Sequence, residues 1–199
     1  MTTSTSGGED RREVIARSAI TVIAGHGVRA LTHRAVDREA GIPEGATSHH
    51  ARTRQALIEL IIESLESRTL ADTQLFVDSL ATSEPRDIDG LASALTELID
   101  ALASREADMR ARYALMLEPG GDPAAHARLA VSSEIDAVAM HAVSQAMAGA
   151  GLNHSAKQVQ DLITLADALV FARTVTGTDI ASVLTPYLHG LHTQAQPSD

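Results

Sequence analysis

The chain has no cysteine, no tryptophan, and only two tyrosines and two phenylalanines among its 199 residues. Without cysteine there is no disulfide framework, no thiolate zinc site and no cysteine nucleophile, which fits a reducing cytoplasm. With aromatics at 2% of a chain that is 44% hydrophobic, Ala, Leu, Ile and Val must fill the core, and an all-α fold suits such a set best. No apolar run approaches the ~20 residues that a membrane span needs, and Met1 to Gly8 are small and polar; a soluble, cytoplasmic protein with no membrane partner is expected. Catalytic patterns are missing too. There are no Glu-x-x-His pairs of a di-iron bundle, no His-Glu-x-x-His and no glycine-rich phosphate loop. His189 and His192 share a helical face, but no carboxylate accompanies them on it, so they read as surface histidines rather than metal ligands. Neither an enzyme nor a cofactor nor a metal is expected.

Positive charge is scarce as well, with 16 basic against 26 acidic residues and a net charge of -10. The distribution is uneven: residues 1–54 carry +2 and the remainder carries −12. A mildly basic amino-terminal end tolerates a nucleic-acid partner, although so small a footprint calls for two subunits acting together.

What the chain does have is the stretch Leu31-Thr-His-Arg-Ala-Val-Asp-Arg-Glu-Ala-Gly-Ile-Pro-Glu-Gly-Ala-Thr-Ser-His-His50. Val36 and Ala40 lie on one helical face, Gly41 permits a backbone reversal, and Ile42 seats a second helix against the first. This is the pattern of a helix-turn-helix, whose residues after Ile42 are left to face a DNA groove.

Around it the chain reads as helices throughout. Ile15, Ala19, Val22 and Ile23 make an amphipathic stripe closed by Gly25 and Gly27. Thr32 is placed to cap the second helix, Pro43 to stand early in the third, and Thr53 to cap the fourth. The fourth helix is long, with Ile58, Ile62, Leu65 and Thr69 in register and apolar spacing through Phe76 and Leu80 up to Ser83-Glu84-Pro85. Further helices are expected over Leu91–Ser104, Arg110–Leu117 and Ala124–Ala148, with Pro119-Gly-Gly-Asp-Pro123 as a break. Two more close the chain. Val159–Ala172 is apolar around most of its circumference, and Ile180, Val183, Leu184, Tyr187, Leu188 and Leu191 form a regular stripe interrupted by Pro186. Leu162, Leu165, Leu169, Ile180, Val183, Leu184, Tyr187 and Leu191 are the expected interface with a partner subunit.

The first helix, Leu31-Thr-His-Arg-Ala-Val, Ala40-Gly41-Ile42, Gly45-Ala46, His49-His50 and Thr53-Arg-Gln-Ala-Leu57 together resemble the TetR-type family of bacterial transcriptional repressors. The likeness covers residues 11 to about 60; beyond that it is architectural. It implies an N-terminal three-helix DNA-binding domain over residues 9–54, and a C-terminal helical bundle for ligand binding and dimerisation over 55–194. It also implies a homodimer closed by the final two helices of each subunit, a double-stranded DNA operator and a small-molecule effector. Three positions depart from the family pattern: Asp37 where a small residue is usual, Ser48 where Tyr is common, and Ala51 where Phe is common.

In the reading that this resemblance implies, Pro43, Glu44, Gly45, Ala46, Thr47 and Ser48 face the major groove. Glu44 would accept from a cytosine amino group, Ala46 or Thr47 would meet a thymine methyl, and Arg34 would reach guanine through its fork. Thr32, His49, His50, Arg52 and Arg54 would contact phosphates, while His33 faces solvent. Tyr113, Met116, Leu117, Met140, His141 and Phe171 are candidates to line an effector pocket, being bulky or polar on central helices. The alternative is a helical small-molecule-binding protein with lost or weak DNA binding, for which Asp37, Ser48, Ala51 and the low positive charge argue.

Overall fold

The computed structural model describes residues 10–82, 85–118, 122–130 and 133–194. Every regular element among them is helical: α1 Arg11–His26, a 3-10 turn Val28–Ala30, α2 His33–Glu39, α3 Ala46–His50, α4 Arg54–Thr82, α5 Ile88–Ser104, α6 Glu106–Met116, α7 Pro123–Ala130, α8 Ser133–Gly149, α9 Ala156–Thr176 and α10 Ala181–Gln194. The all-α expectation holds. The stretch from Met1 to Gly8, Ser83 and Glu84 at the end of the fourth helix, and Pro119 to Gly121 of the expected break lie outside the described residues.

The chain forms two compact units, one of residues 1–67 with 110–130, the other of 68–109 with 131–199. This partition differs from the functional boundary expected between residues 54 and 55. The physical reason is apolar burial. In the first unit Ile15, Ile20 and Ile23 of α1 share a core with Leu57, Ile61 and Ile62 of α4, and with Ala111, Leu115, Ala125 and Leu129 of α6 and α7. Each such Ile or Leu contributes about 1.5–3 kcal/mol on burial. Charge reinforces the same packing: Arg128 of α7 pairs with Glu59 of α4 at 2.7 Å and, through Nε, with Glu66 at 3.1 Å.

Within the expected helix over 124–148 the described residues form α7 up to Ala130 and α8 from Ser133, and residues 131 and 132 lie outside them. Arg112 donates from Nε to the Leu129 carbonyl (2.7 Å) and from Nη2 to that of Ala130 (3.2 Å), tying α6 to α7. Other bounds shift by local capping. Gly25 lies inside α1, which closes at Gly27 (φ 80°). Asp87 caps α5 by accepting the Gly90 N–H at 2.8 Å, three residues ahead of the expected start. Ser155 and Gln158 form a capping box for α9, and Pro186 sits within α10 without ending it.

In the second unit α5 packs against α9 and α10, and α8 against α9. Leu91, Leu95 and Ile99 of α5 are buried there, as are Leu162 and Leu169 of α9, Leu184 and Leu188 of α10, and Met147 of α8. Arg173 of α9 pairs with Asp100 of α5 at 2.8 Å, and His189 of α10 meets Asp89 of α5 at 3.1 Å. Asp89 is thus a carboxylate beside His189 that helical spacing alone did not reveal. Among the described residues no three His, Asp or Glu side chains converge as a metal site.

Candidate nucleic-acid interface

Local chemistry builds the segment from Thr32 to Thr53. The Thr32 hydroxyl accepts the Ala35 N–H at 3.1 Å and starts α2. Gly41 (φ 63°) and Gly45 (φ 92°) take left-handed conformations that a β-carbon would strain, and between them the chain reverses. Thr53 caps α4 by accepting the Ala56 N–H at 3.0 Å.

Asp37 holds this turn together. Its side chain is buried, at 2% exposure; Oδ2 accepts the Gly45 N–H at 2.7 Å and Oδ1 the Thr47 N–H at 2.8 Å. A carboxylate from the second helix therefore caps the third, which complements its positive amino end. Burial works to raise the Asp37 pKa, but hydrogen bonding from Thr47 and Gly45, with His33 nearby, outweighs it and holds the group below its ordinary value. The opposite end is tied as well, because His33 Nε2 lies 2.6 Å from the Ala51 carbonyl oxygen. Ala51 itself is buried in the core of this unit. One of the three positions that depart from the family pattern thus braces the motif.

Two expectations for the groove-facing residues need correction here. The third helix begins at Ala46, so Pro43, Glu44 and Gly45 belong to the turn before it. Thr47 is fully buried and has no surface for a base. The cause is shared: Asp37 draws the Gly45 and Thr47 amides inward, and the left-handed Gly45 delays the helix. His33, expected in solvent, is half-buried on the Ala51 carbonyl. Sequence reasoning missed both tying roles. The available signal was a carboxylate one turn before a pair of glycines.

The remaining candidates face outward. Thr32, Arg34, Pro43, Glu44, Ser48, His49, His50, Arg52 and Arg54 are exposed, while Gly45 and Ala46 are intermediate. Arg34 Nε pairs with Glu44 Oε1 at 2.8 Å. Arg54 donates from Nη2 to the Val28 carbonyl at 3.0 Å, so its guanidinium is anchored to the turn after α1.

Of the six pocket candidates, Tyr113, Met116 and Leu117 belong to the first unit and Met140, His141 and Phe171 to the second. Met140 and His141 line a cavity of about 480 Å³ in the second unit with Ala137, Ser144, His154 and Val159. His154 was not anticipated; its ring nitrogens lie 2.9 Å from the Leu152 carbonyl and 2.9 Å from the Ser144 hydroxyl. Tyr113 and Met116 are half-buried on α6, Leu117 just beyond that helix is 77% exposed, and Phe171 stands exposed on α9.

The expected subunit interface separates in the same way. Leu162, Leu169, Ile180, Leu184 and Leu191 are buried within the single chain, and Leu165 and Tyr187 are half-buried. A side chain covered by its own subunit has no surface left for a partner. Exposed apolar side chains on these two helices are Phe171, Val175 and Val183.

An all-helical chain with a braced helix-turn-helix defines the class of helical regulators. Residues 86–194, more than half of the chain, match the Tetracyclin repressor-like C-terminal domain, and the chain belongs to the TetR family of regulators. No curated protein matches the sequence. Among solved structures the fold is similar to the multidrug binding protein EbrR complexed with malachite green, at 21% identity and TM-score 0.66 over 92% of this chain and 99% of that one. It is similar to SCO1917, a TetR-family member from Streptomyces coelicolor A3, at 22% identity and TM-score 0.64 over 92% and 99%. It is also similar to the fatty acid degradation regulator FadR from Bacillus halodurans, at 15% identity and TM-score 0.57 over 92% and 99%.

Proposed function

We propose that this chain is a ligand-responsive transcriptional repressor that binds a palindromic operator as a homodimer in the cytoplasm and is released by a small-molecule effector. One observation carries the reading: the Asp37-braced turn turns Val36 and Thr47 inward and leaves Arg34, Glu44, Ser48 and His49 exposed along one segment. Arg34 would read guanine, Glu44 a cytosine amino group and Ala46 a thymine methyl. Thr32, His49, His50, Arg52 and Arg54 would hold phosphates and set the register. Residues 9–54 would form the DNA-binding domain and 55–194 the ligand-binding and dimerisation domain.

The effector site fits the cavity of Met140, His141 and His154, whose walls mix apolar and polar side chains. EbrR is known in complexes with malachite green and ethidium, which supports an organic effector for this chain. Self-association would use the exposed Phe171, Val175 and Val183 of α9 and α10. Among the described residues no helix is long and apolar enough to cross a membrane, and we infer neither catalysis nor a cofactor.

The alternative, a small-molecule-binding protein without operator recognition, draws on the neutralisation of Arg34 by Glu44. A mobility-shift titration against the DNA flanking the protein's own gene, at low and high salt, separates the two. A shifted band that weakens steeply with salt is expected. Its complete absence overturns the repressor reading.

A further inference from the structure

We propose that the cavity of Met140, Ser144 and His154 selects a ligand with an apolar body and an N–H or O–H donor, of the phenol or indole kind, because Ser144 lines it as an acceptor only. This names the chemical class of the effector and rests on the reading of that cavity as the effector site. All its lining residues lie in the second unit. Its volume of about 480 Å³ falls within the ~300–1,000 Å³ of drug-sized sites.

The turn that ends α8 sets this polarity. Gly151 is left-handed, with φ 76°. Its N–H is donated to the Ala148 carbonyl at 3.0 Å and the Leu152 N–H to the Met147 carbonyl at 2.9 Å, the double closure of a helix end on a left-handed glycine. Leu152 is buried, at 3% exposure, which fixes the chain at that point. Ser155 follows at once as the cap of α9, its hydroxyl accepting the Gln158 N–H at 3.3 Å. His154 is thus held between two closed helix ends, and its Nδ1 lies 2.9 Å from the Leu152 carbonyl oxygen.

A carbonyl oxygen only accepts, so His154 Nδ1 carries a proton. In the neutral ring Nε2 is then a bare acceptor, and Ser144 Oγ, 2.9 Å away, donates to it. A hydroxyl has one proton, and here it is committed to the imidazole. Ser144 retains only lone pairs, which a ligand satisfies with an N–H or O–H group. An ether or a carboxylate brings lone pairs of its own, and the hydroxyl oxygen repels them. His141, exposed on the same wall, has a proton on one ring nitrogen and a lone pair on the other when neutral, so it does not discriminate. Ala137, Met140 and Val159 supply the apolar surface for the ligand body.

Calorimetric titration of the full chain without DNA tests this, with naphthol, its methyl ether and naphthoate as probes. It is run at about pH 8, above the ~6.5 at which an ordinary imidazole titrates. Naphthol is expected to bind saturably, with the ether and naphthoate each weaker by about fivefold or more. Ser144→Ala combined with His154→Leu removes both the acceptor and the imidazole that would replace it. With helicity retained, this double variant is expected to bring naphthol down to the affinity of the ether while leaving the ether unchanged. His141→Ala is expected to keep the preference for naphthol, and Ala137→Trp, at an exposed position, to block every probe. The donor requirement is overturned if the ether or naphthoate binds as tightly as naphthol, if the double variant keeps the preference, or if His141→Ala loses it. If no probe binds, or if Ala137→Trp leaves naphthol bound, the cavity is not the effector site and the proposal falls with that reading. The operator titration, made without any of these probes, is unaffected by either result.

Discussion

Arg34 Nε stands 2.8 Å from Glu44 Oε1, and both side chains are mostly exposed, at 81% and 68%. Two residues read from the sequence as separate base readers are therefore partners across the turn. An exposed pair of this kind is worth ~0–1 kcal/mol to stability, so its consequence lies in recognition. Glu44 orients the guanidinium that Arg34 would present to guanine. Arg34→Ala, Glu44→Ala and the double variant, titrated on operator variants, should show a coupling of about 0.5–3 kcal/mol. Additive losses would mean the two side chains act independently.

Asp37 supplies a pH-dependent test of the motif. Because its pKa is lowered in the folded chain, its stabilisation is fully present above the ordinary value of 3.8 and is lost as pH falls through the lower folded value. Asp37→Ala leaves two amides of the turn without their acceptor, a loss of ~1.5–3 kcal/mol expected in urea unfolding at neutral pH. The difference from wild type should shrink below the ordinary carboxylate range. A difference that stays constant through acid would refute the assignment.

Arg128 ties α7 to α4 through Glu59 and Glu66, with all three side chains partly exposed. Their exposure screens the pairs, so Arg128→Met should destabilise by only about 1 kcal/mol, the methionine keeping the packing of the stem. The loss should fall at molar salt, where the screening length drops to ~3 Å. Chemical denaturation of both proteins at low and high salt checks it; a salt-independent loss would place the effect in packing.

Phe171 and Val175 are 43% and 57% exposed on α9, whereas Leu184 is fully buried on α10. Phe171→Glu with Val175→Glu should yield monomers of unchanged helicity in analytical ultracentrifugation. Leu184→Ala should instead lower stability by ~2–5 kcal/mol through the cavity it leaves. A charged double variant that still dimerises would exclude this surface as the contact.

How much was legible depended on the range of the interactions involved. The caps at Thr32 and Thr53 act over three residues, so side-chain type and spacing suffice to place them. The start of α3 was not legible. Asp37 reaches eight and ten residues along the chain to the Gly45 and Thr47 amides, and no local propensity encodes that closure. The stripes of α9 and α10 were visible as buried faces. That α5 of the same chain covers them was not, because periodicity shows that a face is covered without showing by what.

The amino-acid order alone established an all-helical chain with a reversal at Gly41, since apolar period, glycine and capping hydroxyls act through neighbours one or two turns away. Tertiary structure decided which of those helices share a core. It joined residues 110–130 to the helix-turn-helix unit, turned Thr47 inward and paired Arg34 with Glu44. Each of these outcomes depends on groups far apart in sequence meeting in space, where burial and charge, rather than local propensity, set the lower free energy.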